Sequence, residues 1–514
     1  MPFQTDPEIS VTISGYSLPI ATCPCWLESK LSLDLKTAEE TTPIYWALIP
    51  VVILVALIVY GLIVRPWLGQ PQLPLEIIFI LSAAGTVLEL LLLGHRWTAI
   101  QNTIIAKFQK ALPAFFILFC IGMVIASWII SGTIPMLVYF GLKSIDPAYL
   151  YVLSFLAPVV FSTTTGTSWG SVGTIGVVLI GIATAMEANL GVTAGAVIGG
   201  ACFGDKLSPL SDTTNMAALG AEVDLYDHIR SMLWTTLPAA VIAAGIYYWL
   251  GSVYPPAIGD GKMGELDPFL ESLDSIFVFS WWLLLPAAVV LVGSLLRMPT
   301  VPVLILSIVI GFILSVIFQQ FSVTDIVQTM YKGFDVSMAT WVEEVPENVQ
   351  VLLNRGGLYE LNDPIIIAFM VFIFIGAMDH IRAMPTVVQF FLKAIRSPRL
   401  TVLGTLLVTA VTSALTSSQY ATSFIVGDAF KSKYDAQGIN RNVLSRSLED
   451  TGTMLESIVP WHPTAIFMGA TLGVACSDYW YWQTLSLVNI AIAILIAAIG
   501  FGLPRASDGQ IKKK

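Results

Sequence analysis

The chain has 514 residues, 56% of them hydrophobic and 12% charged, with a formal net charge of −10. A soluble domain carries about 25% charged residues, and a mean hydropathy of +0.79 places the chain among integral membrane proteins. Much of the acid lies in short loops and the N-terminal tail, and no basic stretch is interleaved with aromatics, so no nucleic-acid partner is expected.

Residues 1–41 form a tail without the basic start and apolar core of a cleavable signal peptide. Uncharged runs long enough for a transmembrane helix begin with Thr42 to Val64. Ten spans are expected. The first five lie near 42–64, 74–94, 111–133, 192–220 and 228–250, and the second five near 276–297, 300–320, 363–381, 444–475 and 482–503. The segments 97–110 and 322–360 read as amphipathic or loop-like. Two more apolar stretches, 149–186 and 400–430, are each broken by hydroxyl-rich sequence. Cys120, Cys202 and Cys476 fall in apolar spans. Cys23 and Cys25 lie in the tail without zinc or redox spacing, so no disulfide and no metal cluster is expected.

The first break reads Ser162-Thr-Thr-Thr-Gly-Thr-Ser-Trp-Gly-Ser171. Irregular backbone at membrane depth survives only where it is buried in protein or lines a wet cavity. Glycine permits the turn, and hydroxyls satisfy freed backbone groups or ligate a cation. Thr165, Thr167 and Ser168 are the candidates here. The span 192–220 contains Gly204-Asp-Lys-Leu-Ser-Pro-Leu-Ser-Asp-Thr-Thr-Asn215. Each ionised group at the bilayer centre costs about 2.5–3.5 kcal/mol on insertion scales, and Pro209 removes a helix donor. Unwound carbonyls and carboxylates are hard oxygen ligands suited to Na⁺, and a half-helix N-terminus can face an anion. The candidates are Asp205, Ser208, Ser211, Asp212, Thr213, Thr214 and Asn215, with Na⁺ on Asp212, Asn215 and nearby hydroxyls or carbonyls. Lys206 pairs with Asp205 or with another neighbour.

Two later segments carry the same kinds of residue. The first, Thr416-Ser-Ser-Gln-Tyr-Ala-Thr-Ser423, supplies Thr416, Ser417, Ser418, Gln419 and Thr422 as binding candidates. The second runs from Glu449 to Thr464. Its Glu449, Asp450 and Glu456 join Asp205 as proton-coupling candidates. Histidine is the residue type able to titrate near neutral pH, so His462 reads either as a further proton carrier or as a structural hydrogen-bonding residue. Glu89, bracketed by leucines, calls for an interior partner. Asp-His-Ile-Arg occurs at 227–230 and at 379–382, where it reads as an interfacial anchor or gate contact.

The halves resemble each other. Residues 156–227 and the stretch 251 residues later share twelve identities in 72 ungapped positions, against roughly five from biased composition. Lysine and arginine retain loops in the cytoplasm. Arg96, Lys107 and Lys110 precede the third span, and Lys393, Arg396, Arg399, Lys431, Lys433 and Arg441 flank 400–430 on both sides. That stretch therefore enters and returns as a re-entrant hairpin. Its counterpart, 149–186, enters from outside, and both termini are cytoplasmic. Arg65 alone falls on the wrong side.

The expected fold class is an all-α polytopic membrane protein with about 10 transmembrane helices and 2 re-entrant hairpins. The first inverted repeat is 42–250, with hairpin 149–186 and broken helix 192–220. The second is 276–503, with hairpin 400–430 and broken helix 444–475. A cytoplasmic tail (1–41) precedes them, and a basic cytoplasmic tail (504–514) follows. No HExxH, Walker or dinucleotide motif argues for an enzyme or an ATP-driven pump.

Thr165-Gly-Thr-Ser-Trp-Gly-Ser-Val-Gly-Thr-Ile-Gly176 and Gly204 to Asn215 closely resemble the NhaC-type sodium/proton antiporters of the ion-transporter superfamily. Val223 to Arg230 and Thr235-Thr-Leu-Pro238 are similar to the same family. The resemblance is sharpest over 160–240. It implies Na⁺ exchanged for H⁺ across the bacterial inner membrane, without a cofactor. A branch of the family exchanges malate and protons for lactate and sodium, so a Na⁺-coupled organic-anion exchanger is the alternative. The partners expected are Na⁺, H⁺, the lipid bilayer, a small organic anion on the alternative reading, and a second copy of the chain in a homodimer.

Overall fold

The computed structural model describes residues 11–13, 16–18, 43–257 and 267–500. In the unit Met1–Pro43, two short strands, β1 (Val11–Ile13) and β2 (Tyr16–Leu18), pair antiparallel with Thr12 opposite Ser17. Cys23, Cys25 and the basic tail after residue 500 lie outside the described residues.

The second unit, Ile44–Lys514, is helical over its described residues. Its first helices are α1 (Ile44–Trp67), α2 (Leu75–Leu92), α3 (Trp97–Ile130) and α4 (Thr133–Ser144). Then come α5 (Pro147–Thr165), α6 (Ser168–Ala185), α7 (Leu190–Leu207), α8 (Asp212–Ala221) and α9 (Leu225–Val253). The middle of the chain holds α10 (Asp267–Ile276), α11 (Trp281–Leu295), α12 (Thr300–Phe318), α13 (Val323–Lys332) and α14 (Glu347–Leu353). It continues with α15 (Asn362–Asp379), α16 (Ala383–Ala394), α17 (Pro398–Thr416) and α18 (Gln419–Ala436). Helix α19 runs from Arg441–Leu448 through a π-helical turn, Glu449–Thr453, to Met454–Glu456. The last are α20 (Pro463–Leu472), α21 (Cys476–Trp482) and α22 (Thr484–Ile499).

Among the described residues, nine helices are long and apolar enough to cross a membrane, or up to eleven if each of two bent pairs is one span. Helix α12, with a mean hydropathy of 2.9 over 19 residues, is about 28 Å long, close to the thickness of a bilayer's hydrocarbon. Helix α3 packs against α12 and α15, and α2 against α1 and α15.

The segment 97–110 is not a loop. It is the first part of the 34-residue α3, with Gln101, Asn102, Gln109 and Lys110 on its exposed side. Polarity there marks a wet helix face, because Gln, Lys and Ala are good helix formers. Helices α4 and α16 fall outside the expected spans. Each follows a residue in the left-handed region, Gly132 (φ +87°) and Arg382 (φ +49°), where the preceding helix breaks.

Helices α5 and α7 run parallel and touch through backbone. The Tyr151 hydroxyl accepts from Asn189 N–H at 3.0 Å near their starts. Further along, Ser162 Oγ donates to the Gly200 carbonyl at 3.1 Å. A Cβ at Gly200 would collide with the Phe155 carbonyl, and one at Gly204 with Ser162. Two parallel neighbours require the intervening α6 to return, so α5 and α6 form a helical hairpin with its tip at Gly166 and Thr167. In the same way α17 and α18 pair antiparallel, Thr405 Oγ1 meeting the Tyr434 hydroxyl at 3.0 Å. Element ends recur 251 residues apart. Helices α5 and α17 end at Thr165 and Thr416, α6 and α18 begin at Ser168 and Gln419, and α8 and α20 begin at Asp212 and Pro463.

Candidate functional site

The tip of the α5–α6 hairpin meets the break between α7 and α8. Gly166 turns the tip with φ +72°, where any Cβ would strike Leu210. Thr167 Oγ1 caps α6 by accepting from Gly170 N–H at 3.3 Å. The next residue, Ser168, reaches across the break and donates to Asp205 Oδ2 at 2.6 Å. From the break itself, Ser211 donates to Asp205 Oδ1 at 2.7 Å and meets Thr213 Oγ1 at 3.0 Å. Both oxygens of the 7% exposed Asp205 are thus held by hydroxyls from two separate elements.

Pro209 interrupts the ladder, and side chains take over the freed carbonyls. Thr214 Oγ1 donates to the carbonyls of Asp205 and Lys206 at 3.0 and 2.9 Å. Asn215 Nδ2 donates to those of Ser211 and Pro209 at 2.5 and 3.1 Å, and Ser208 Oγ accepts from Leu210 N–H at 3.3 Å. Asp212 is exposed and accepts from the hydroxyl of Tyr420 on α18. It lines a cleft of about 270 Å³ with Thr165, Thr167, Trp169, Arg297 and Phe467. Trp169 stacks on Phe467 at 4.2 Å, nearly parallel.

At the second tip Ser417 takes the left-handed conformation, φ +48°, and Ser418 caps α18 by accepting from Ala421 N–H at 3.3 Å. Thr416 and Thr422 meet at 3.2 Å. Gln419 Nε2 donates to the Leu448 carbonyl at 2.9 Å. Gln419 Oε1 and Ser417 Oγ are buried with no partner among the described residues. The Gln419 amide lies against Gly452, inside the π-helical turn of α19.

The carboxyls of α19 have separate environments. Asp450 Oδ1 accepts from Lys206 Nζ at 2.5 Å, from Thr235 Oγ1 at 2.8 Å and from Asn489 Nδ2 at 3.0 Å, and Arg446 Nε lies 3.8 Å from Oδ2. Lys206 therefore pairs across the halves and not with its neighbour Asp205. Glu449, fully buried, accepts from Thr453 Oγ1 at 2.5 Å, and its other oxygen has no partner among the described residues. Glu456 Oε2 accepts from Thr464 Oγ1 at 3.0 Å, with His462 beside it.

At one end of the bundle Glu222, past the end of α8, accepts from Lys431 and Arg441, each at 2.6 Å. These bonds, Lys431 first, hold its carboxyl below the usual range. The two Asp-His-Ile-Arg copies differ in surroundings. Asp379 pairs with Lys107 at 2.8 Å, and His228 Nδ1 meets Ser445 Oγ at 2.8 Å.

The family model of the Na⁺/H⁺ antiporter family matches residues 200–501, from the unwound span to the last helix. The chain belongs to the Na⁺/H⁺ antiporter family. It is 38% identical over 434 residues to an uncharacterized Na⁺/H⁺ antiporter of Haemophilus influenzae, covering 84% of this chain and 92% of the relative. The malate-2H⁺/Na⁺-lactate antiporter of Bacillus subtilis is 33% identical over 432 residues, 84% of this chain and 90% of the relative. The Na⁺/H⁺ antiporter NhaC of the same organism is 34% identical over 432 residues, 84% and 92% of the two chains. Membership and the long apolar helices together make this antiporter-family chain a multi-pass membrane protein.

Four participants lie outside the residues expected from the sequence: Tyr420, Thr235, Arg446 and Asn489. Asn489 is legible as a lone polar group on an apolar helix, whereas Arg446 lies on a polar one. Thr235 and Tyr420 carry no such signal, since their partners lie 215 and 208 residues away.

Proposed function

We propose that this family member exchanges Na⁺ for H⁺ across the bacterial plasma membrane by alternating access. The observation that carries the reading is Asp205, whose two oxygens are held by Ser168 and Ser211 where a hairpin tip meets an unwound helix. A buried carboxylate held by hydroxyls at a helix break is an oxygen-rich site suited to a hard cation. Asp212, facing the cleft, is the entry ligand, with Thr165, Thr213, Asn215 and the tip residues Thr416 to Thr422 around it. Glu456 and Glu449 are the proton carriers. Asp450 pairs with Lys206 and lies beside Arg446, and serves as their counter-charge. Na⁺ and H⁺ compete for this acid set, which couples their fluxes.

Supporting the architecture, element ends recur at one spacing, and basic residues flank α17–α18 on both sides. The reading is two inverted repeats, each with a re-entrant hairpin, and both termini in the cytoplasm. The test is Na⁺-dependent ΔpH dissipation in everted vesicles. Asp205→Asn and Asp212→Asn are expected to lose at least tenfold of the exchange at unchanged expression. Wild-type exchange in both would overturn the assignment.

A second reading, Na⁺-coupled exchange of a small organic anion, is favoured by one feature. The cleft that reaches Asp212 also exposes Arg297, a cationic group that an anion would use and that a path for cations alone does not require. The malate/lactate relative agrees with it. Malate- or lactate-dependent ²²Na⁺ uptake, lost in Arg297→Gln, separates this reading from the first.

A further inference from the structure

His462 precedes Pro463 as the N-cap of α20. The cap fixes the imidazole. Thr464 N–H donates to Nδ1 at 3.2 Å, so Nδ1 presents its lone pair, and in the neutral ring the proton sits on Nε2. A charged ring would need a proton on Nδ1 as well, which would face the Thr464 N–H and break the cap. Nε2 is buried without a hydrogen bond among the described residues and lies 3.8 Å from Glu456 Oε1. His462 and Glu456 are 3% and 8% exposed, so bulk water does not substitute for either.

The first half places a hydroxyl at the corresponding position, though there the side chain makes no cap bond. Ser211 is the N-cap of α8, and its Oγ donates to Asp205 Oδ1 at 2.7 Å. Ser211 and His462 are related by the 251-residue spacing, and Asp205 and Glu456 likewise. In each half the residue at the N-cap position after the break faces the carboxyl before it. At Asp205 the donor is in contact. At Glu456 a shift of about 1 Å closes the gap to hydrogen-bond distance.

We propose that His462 is a neutral positioning residue. Its Nε2–H bonds Glu456 when that carboxyl is ionised and leaves it when the carboxyl is protonated, and the imidazole itself carries no proton across the membrane. This rests on the reading of Glu456 as a proton carrier. The groups around Glu456 explain the need for such a donor. The charged groups that bear on it are Asp205 and Asp212 from the first half and Glu449 on α19, with the neutral Tyr420 on α18 and Cys202 on α7 also near it, and none of them is a cation. A neutral N–H favours the ionised carboxyl without trapping it as a lysine would.

The experiment measures Na⁺-driven proton flux against pH with the full-length protein in proteoliposomes. His462→Asn keeps a cap acceptor near Nδ1 and removes the donor. Its half-maximal pH is expected to move upward by about one unit, a tenfold change in proton affinity, with thermal unfolding close to wild type. His462→Gln places an amide N–H near the Nε2 position and is expected to restore the wild-type midpoint. A wild-type midpoint for His462→Asn, or an equal shift in His462→Gln, overturns the proposal. So does loss of proton coupling in both, which would make His462 the carrier. Glu456→Gln tests the underlying reading separately, since persistent Na⁺/H⁺ exchange in that variant removes Glu456 as the carrier whatever His462 does.

Discussion

Asp450 sits between two buried cations, Lys206 at 2.5 Å and Arg446 at 3.8 Å. Breaking a buried pair by removing one partner costs roughly 3–5 kcal/mol, whereas replacing both partners together is often near neutral. Lys206→Met is therefore expected to lower thermal stability in detergent sharply, and Lys206→Met with Asp450→Leu to recover part of the loss. An unchanged unfolding temperature in the single variant would contradict the structural role given to this pair. The Glu222 contacts at the end of α8 behave differently, because they are exposed. Their carboxyl is held below its ordinary value of 4.5, so the folded state binds fewer protons there than the unfolded chain. The stabilisation is present above that ordinary value and fades as pH falls through the folded one. Glu222→Gln should lower the unfolding temperature at pH 7, and the gap to wild type should close in acid as pH falls below the ordinary value of 4.5 and through the folded one. A gap that persists there would mean the loss is one of packing. At this scale the sequence singled out most of the acids and hydroxyls, since a charge in an apolar span is conspicuous. Their partners were not visible, because Lys206 and Asp450 are 244 residues apart in the chain.

Helices α5 and α7 approach through Gly200 and Gly204, with no room for a Cβ at either. Small residues let helices pack backbone to backbone in a membrane, where packing and not hydrophobic burial drives association. Gly200→Val should push α5 away from α7 and carry Ser168 from Asp205. The expected outcome is exchange reduced at least tenfold, with a lowered yield of monodisperse protein on gel filtration. Wild-type exchange in that variant would remove the link between the helix contact and the site. Element boundaries show where sequence reading worked. Hydroxyl-rich breaks at 162–171 and 416–423 marked turns between helices, because glycine and serine take the left-handed conformation there. At 97–110 the structure takes the amphipathic of the two alternatives, a helix with one polar face, while α4 and α16 are too short to register as spans.

For the molecule as a whole, the proposed re-entrant reading assigns each hairpin a side of the membrane from charge placement. Cysteines at Asp146 and Glu187, the two ends of α5–α6, should react with a membrane-impermeant maleimide added outside intact cells. Cysteines at Ser397 and Gln437, the two ends of α17–α18, should react only after the inside is exposed. Labelling of one end of either hairpin from each side would make it an ordinary pair of crossings and end the re-entrant reading.

Composition by itself determined that the chain lives in a membrane, since 12% charge over 514 residues cannot cover a soluble surface of this size. Its runs of apolar residues set most of the spans, and its interruptions located the polar sites to within a few residues. The tertiary structure alone decided the partners. It put Asp212 against Tyr420, Lys206 against Asp450 and Ser168 against Asp205. The physical reason is that a bilayer leaves buried polar groups nothing but one another to bond. Each pairing is then set by which helices pack together, and spacing along the chain does not contain that information.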